Sequence, residues 1–395
     1  MRIVAGYLSF ARSHPGPLGF GASLTWLSSF GQTFFIALTG GAIASAFALS
    51  DGALGTAYAA ATLVSGFLLG PGGRLIDRVA LRAYLGAAVL LLATGCFVIG
   101  TASGLAAIIA GYFLLRLGGQ GLMVHIAMTT TARRFAQDRG KALGLVALGL
   151  AIGEAMLPPL VVALLPHVGW RWIWFACAAI VLAAGAGIIA LTSGARRATP
   201  LPGTTPASQG RSIWRDRRFL AAIPAVLAPS FVTTGFFFHQ VRLAEERGWA
   251  LAVVAAGFVA FAAIRAASML FVGPVIDRIG SIRLLPWFLA PLCLSMGVIM
   301  AWPRSDIAPL LYLATAALTA GVATTLITSV WTEMYGPARI AAVRASAAAA
   351  GVIASALAPT IFGVLIDRGV SLAAIAAGCL AAMVAASVLT LRART

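Results

Sequence analysis

Arg116, Glu154 and Arg265 each stand near the middle of a long apolar run, where a charge has to be satisfied by protein or water. A guanidinium keeps its charge and presents a planar fork of donors that fits a carboxylate. A carboxyl group exchanges a proton: desolvation favours the neutral acid, and a nearby guanidinium favours the carboxylate. Two arginines against one glutamate leave one surplus positive charge, which a small organic anion would neutralise. Two roles are open to Arg116 and Glu154. They form an inert ion pair that stiffens one half of the molecule, or Glu154 changes protonation as substrate competes for the arginine. Two are open to Arg265 as well: ligand for an anion, or an arginine satisfied by backbone carbonyls at a kink.

Other polar groups join these as candidate substrate contacts. Gln32 and Tyr58 interrupt otherwise apolar runs, as does Trp331, with simple packing as the alternative for each. His239 follows Phe236-Phe237-Phe238. Histidine titrates near neutral pH, so His239 is a candidate at a cavity mouth, set against an ordinary hydrogen-bonded histidine. Glu154 is the candidate proton-coupling group.

The elements that must hold these residues follow from composition. The chain has 395 residues, 61% hydrophobic and 10% charged. Soluble chains run about 45–50% apolar and about 25% charged, so a soluble enzyme, a secreted disulfide scaffold and a disordered chain are excluded. Crossing the hydrocarbon takes roughly 20 mostly apolar residues per helix. Runs of that kind fall near 17–50, 53–76, 83–101, 104–128, 142–166 and 171–192. A polar stretch at 193–218 follows, with Pro200, Pro202, Gly203, Pro206 and six arginines; it reads as a linker. Further runs fall near 219–242, 250–276, 284–302, 307–333, 345–366 and 371–391. The expected fold is an all-α membrane protein of twelve helices. Residues 1–192 form one six-helix bundle, 193–218 a cytoplasmic linker and 219–395 a second bundle.

Of the 28 lysines and arginines, 21 fall on one set of loops and the termini, and five on the other set. That bias predicts cytoplasmic termini in a multi-pass protein of a bacterial inner membrane, with anionic lipid as the basic loops' neighbour. The net charge of +17 therefore does not imply nucleic acid. Cys96, Cys177, Cys293 and Cys379 lie far apart in apolar runs and read as small buried hydrophobes. No metal site and no cofactor is expected, and the chain is expected to act as a monomer.

The halves repeat with an offset of 200 residues: Gly73 matches Gly273, Asp77 Asp277, Arg78 Arg278, Gly121 Gly321, Pro159 Pro359 and Gly169 Gly369. Parallel repeats enclosing a midplane site are a transporter design. Gly73-Arg74-Leu75-Ile76-Asp77-Arg78 resembles the signature loop of the major facilitator superfamily, and Gly273-Pro274-Val275-Ile276-Asp277-Arg278 its echo. The usual ending, glycine and two basic residues, is replaced by Ala80-Leu81-Arg82. Arg116 with Gln120-Gly121 resembles a second signature of the superfamily, with one extra residue between arginine and glutamine.

The resemblance implies alternating access, with Asp77 and Arg78 in a cytoplasmic latch between the halves; a static staple that only fixes the loop is the alternative. Gly73, Asp277 and Arg278 belong to the same gating set. Glu333 is expected in the inner latch network with Arg339 and Arg344. A lone arginine at the depth of Arg265 distantly resembles the monocarboxylate and oxalate/formate branches.

No phosphate-cradling GxxxxGK[ST] and no GxSxG elbow occurs, so neither an ATP-driven pump nor a hydrolase is read here. The first expectation is a secondary active, proton-coupled symporter of a small organic anion. The second is a proton-driven efflux pump for amphipathic or cationic compounds. Drug exporters of the superfamily carry a glycine-proline signature in the fifth span; here Gly144 and Gly153 keep its spacing but Leu157, Val161 and Val162 replace its glycines. The third is a non-transporting membrane sensor.

Overall fold

The computed structural model describes residues 2–192 and 213–393, so most of the linker stretch lies outside the described residues. Among the described residues every regular element is helical. That is what lipid demands, since a helix satisfies its own backbone polar groups. An amphipathic helix, α1 (Arg2–Ser13), comes first. The first apolar run is a bent pair, α2 (Pro15–Gly31) and α3 (Thr33–Phe47), which turn by 43° at Gln32. Then come α4 (Asp51–Arg74), α5 (Leu81–Gly100), α6 (Leu105–Arg134) and α7 (Arg139–Leu191). After the linker stretch lie α8 (Arg217–Phe238), a short α9 (Gln240–Arg247), α10 (Leu251–Ile279) and α11 (Ser281–Ala301). The chain ends with α12 (Ala308–Gly336), α13 (Ala342–Asp367) and α14 (Leu372–Leu389).

By length and apolarity ten helices among the described residues are able to cross a membrane, or eleven with α2 and α3 taken as one span. Twelve were expected. The difference lies in α7, whose 53 residues would run about 80 Å if straight, far beyond a hydrocarbon core of about 30 Å. Gly169, at φ 75°, breaks it into segments 139–168 and 170–191. The expected runs at 142–166 and 171–192 fall on those two arms.

The 200-residue repeat has a backbone counterpart. Gly169 and Gly369 both adopt left-handed φ, at 75° and 81°, and so do Ala48 and Gly248, at 50° and 64°. Glycine is at ease in that region; a residue with a Cβ is strained there by about 1–2 kcal/mol. Two predictions of opposite sign follow for thermal unfolding in detergent. Ala48→Gly raises the melting temperature, and Gly169→Ala lowers it, each by roughly 1 kcal/mol.

The helices group into two compact units. One comprises Met1–Phe47 with Ala60–Gly203, the other Ala48–Ala59 with Thr204–Thr395. The first third of α4 thus belongs with the second unit. In the first unit the helices approach through glycine. A Cβ on Gly31 would strike the Leu115 carbonyl and the Gly119 backbone, and a Cβ on Gly149 would strike the Ala22 carbonyl. Small residues at such crossings let backbones touch where lipid offers no hydrophobic drive for association. Thr25 Oγ1 reinforces the α2–α7 contact by donating to the Val146 carbonyl at 2.6 Å. In the second unit aromatic rings fill the corresponding space: Phe236, Phe231 and Phe362 on one side, Phe237, Phe258 and Phe261 on the other.

Candidate functional site

The first unit builds its polar centre around the break in the first span. Residues 28–31 tighten into a 3₁₀ turn and Gln32 takes extended angles, φ −88° and ψ 152°, before α3 resumes. A break frees carbonyls from the helical ladder. Arg116 supplies the donor: its Nη1 lies 3.2 Å from the Gly31 carbonyl and 3.5 Å from Thr33 Oγ1. Arg116 itself opens a π-helical segment, Arg116–Met123, inside α6. Such bulges widen the turn and recur at functional sites. Gly119, within that segment, rests against Gly31, so the widened turn and the broken span meet backbone to backbone.

Glu154 enters from α7. Its neighbour Gly153 packs on Ser29, two residues before the carbonyl that Arg116 holds. Arg116 is 3% exposed and Glu154 5%, so both ionisable groups are buried in the same unit. Gln32 is half-buried at the bend.

In the second unit Arg265 is half-buried on α10. Its guanidinium lies over the Phe261 ring, 5.8 Å from the centroid. Its backbone is pinned by α12, since a Cβ on Gly321 would strike the Arg265 carbonyl. Tyr58 is fully buried, its ring 4.8 Å from that of Phe238. Trp331 is buried too, its ring 5.3 Å from that of Phe219 and tilted by 31°. His239 is 3% exposed, and both its ring nitrogens face protein groups: Nε2 the Pro359 carbonyl at 3.0 Å, Nδ1 the Asp51 carboxylate at 3.5 Å. A cavity of about 530 Å³ in this unit is lined by apolar side chains such as Leu227, Phe231, Ile361 and Met383, and offers nothing for a charged solute.

The signature loops sit apart from these groups. Asp77 pairs with Arg133 of its own unit at 2.6 Å. Gly73 offers its carbonyl to His125 Nε2 at 3.0 Å, and Tyr84 donates to the Gly72 carbonyl at 3.0 Å. Arg78 beside them is exposed. Asp277 and Arg278 are exposed in the second copy. Glu333, the repeat counterpart of Arg133, reaches the equivalent place in its own unit. Its Oε2 accepts from the Ser281 and Ile282 amides, at 3.1 and 3.4 Å, and from the Ser281 hydroxyl, capping α11. Arg339 lies over the Tyr335 ring at 5.7 Å, and Arg344 is exposed.

Sequence reasoning passed over Asp51 and Asp367. Asp51 reads as a first-turn acid of an apolar run, and nothing in the chain order links it to a histidine 188 positions later.

Duplicated bundles of membrane-length helices, with buried charge at a broken span and glycine-rich crossings, define a polytopic helical membrane protein. The chain belongs to the major facilitator superfamily, whose family model matches residues 21–359. It is 28% identical over 222 residues to an MFS-type transporter of Gibberella moniliformis (strain M3125 / FGSC 7600), covering 54% of this chain. The match takes in about half of that relative's length, 52%. Among solved structures it resembles a bacterial homologue of the human lysosomal transporter Spinster in an inward-facing, unoccupied conformation. There the TM-score is 0.68 at 15% identity, over 96% of this chain and 95% of that one. It also resembles the nucleoside transporter NupG, at TM-score 0.71 and 12% identity, over 96% of this chain and all of that one (100%).

Proposed function

We propose that this protein is a secondary active carrier that moves a small organic anion together with protons by alternating access. The observation that supports this most is the burial of Arg116 and Glu154 in one unit, with Arg116 donating to the Gly31 carbonyl at the break of the first span. Charge at that depth is costly to insert, by about 2.5–3.5 kcal/mol per residue on insertion scales, and a functional role accounts for its retention. The proton site is Glu154. Arg265 is the guanidinium ligand of the anion in this proposal, and Arg116 and Gln32 are the candidate polar groups of the first unit. The transporter names of the matched proteins accord with this role.

The two arms of α7 count as separate spans in this proposal, which makes twelve. The bundles are 1–192 and 219–395, joined by a cytoplasmic linker at 193–218. The 21-to-5 distribution of basic residues supports cytoplasmic termini and a bacterial inner membrane. Asp77 and Arg78 move as a latch in the transport cycle, with the Arg133 pair as one resting partner.

Arg265→Ala in proteoliposomes tests the anion claim. Uptake of small carboxylates against a pH gradient is expected to fall at least about tenfold, since a charge-assisted bidentate contact contributes about 1.5–3 kcal/mol. Undiminished carboxylate uptake removes Arg265 as a ligand. Transport of lipophilic cations and not of carboxylates by the wild type points instead to the efflux pump.

A further inference from the structure

We propose that His239 and Asp51 share one proton that clasps the first turn of α4 to the junction of α8 and α9, a proton-binding site separate from Glu154. The proposal deepens the proton-coupled carrier function and rests on it for its purpose, although its test needs no substrate.

The geometry fixes the bookkeeping of hydrogens. The Pro359 carbonyl, 3.0 Å from Nε2, only accepts, so Nε2 carries its hydrogen. A neutral ring with that tautomer presents a lone pair at Nδ1. Nδ1 faces Asp51 Oδ1 at 3.5 Å, and a carboxylate also presents only lone pairs. The contact is attractive only while a proton lies between them, whether written as imidazolium and carboxylate or as neutral ring and carboxylic acid. Remove that proton and two lone pairs confront each other, the ring buried and the Asp51 carboxylate half-buried. The ring has little freedom to turn away: it stacks on Phe362 at 6.4 Å with planes 17° apart, and meets Phe238 edge-on at 5.1 Å.

The groups that face this pair come from three helices. Asp51 opens α4. Asp367 closes α13 and accepts from the Asp51 and Gly52 amides, at 3.1 and 2.9 Å. Arg242 of α9 acts on Asp51 from a distance and has Glu245 as its own partner at 3.8 Å. Gly52, Gly55 and Gly363 let the α4 and α13 backbones touch. The first turn of α4 is therefore held twice. The Asp367 cap is an amide-to-carboxylate contact. The His239–Asp51 contact is lost when the pair gives up its proton. Low pH closes this end of α4 and high pH loosens it, at the end of the helix opposite the signature loop.

Amide hydrogen exchange of the full chain in lipid nanodiscs tests this, read as protection factors for residues 48–59 between about pH 5 and 8. Wild-type protection is expected to fall as pH rises, by at most about tenfold per pH unit, the limit for release of one proton. Asp51→Asn and His239→Gln are each expected to flatten the profile. An amide side chain flips to donate or accept, so it serves either state of its partner. Flat wild-type protection across the range overturns the proposal, as does an unchanged slope in His239→Gln. If either variant fails to fold, the wild-type profile and the other variant decide. Failure of proton-coupled transport, read with a pH dye in vesicles, is a separate result that leaves this measurement intact.

Discussion

Glu154→Gln is expected to abolish uphill uptake while leaving exchange of labelled for unlabelled substrate across the same vesicles. Glutamine keeps the shape of the neutral acid and some of its hydrogen bonding, but it has no proton to release. Coupling to a pH gradient requires that release; facilitated exchange does not. In vesicles loaded with a pH dye, substrate-driven proton movement is expected to drop to that of empty liposomes. The inert ion-pair role gives a different pattern. Removing one partner of a buried pair costs about 3–5 kcal/mol, so the variant would melt well below wild type, and any molecules that stayed folded would still move protons. Stability and coupling thus separate the two roles, because Glu154 is 5% exposed and any structural pairing there is shielded from water.

The second large effect is on folding. Gly149→Ala is expected to destabilise the first unit by about 3 kcal/mol or more, at or above the usual cost of overpacking. The added methyl meets the Ala22 carbonyl and Thr25 Oγ1. A carbonyl oxygen in a helix has no rotamer to escape into, so α2 and α7 must separate and the Thr25–Val146 hydrogen bond goes with them. Gly297→Ala is the control. Nothing lies within 4 Å of its would-be methyl, and it sits in the body of α11, where alanine is favoured over glycine by about 0.5–1 kcal/mol. The two substitutions add the same methyl and are expected to move the melting temperature in opposite directions.

What could be read from the amino acids was whatever lipid and duplication impose. Charge-poor runs are long because the bilayer is thick, and the 200-residue offset that pairs Gly169 with Gly369 reappears as matched left-handed backbone. The burial of Arg116 and Glu154 was legible for the same reason: a charge in an apolar run has nowhere to go but inward. The break at Gln32 was not. It lies in an uncharged run from 17 to 50 whose hydropathy gives no sign of a bend, and its cause is tertiary, the approach of Gly119 to Gly31. The π-helical turn at Arg116 is hidden likewise, because one extra residue per turn leaves composition unchanged. His239 was visible as a titratable group. Its partners were not, since Asp51 and Pro359 are distant in the chain and are brought to it by packing alone.

The most direct measurement is counterflow with the wild-type protein. Proteoliposomes are loaded with an unlabelled small carboxylate, diluted into labelled carboxylate, and followed over time. A carrier with surplus guanidinium at its substrate site predicts transient accumulation of label above the level in protein-free liposomes, faster at acid than at alkaline external pH. Label entering no faster than into protein-free liposomes, for every small carboxylate offered, would contradict an anion carrier.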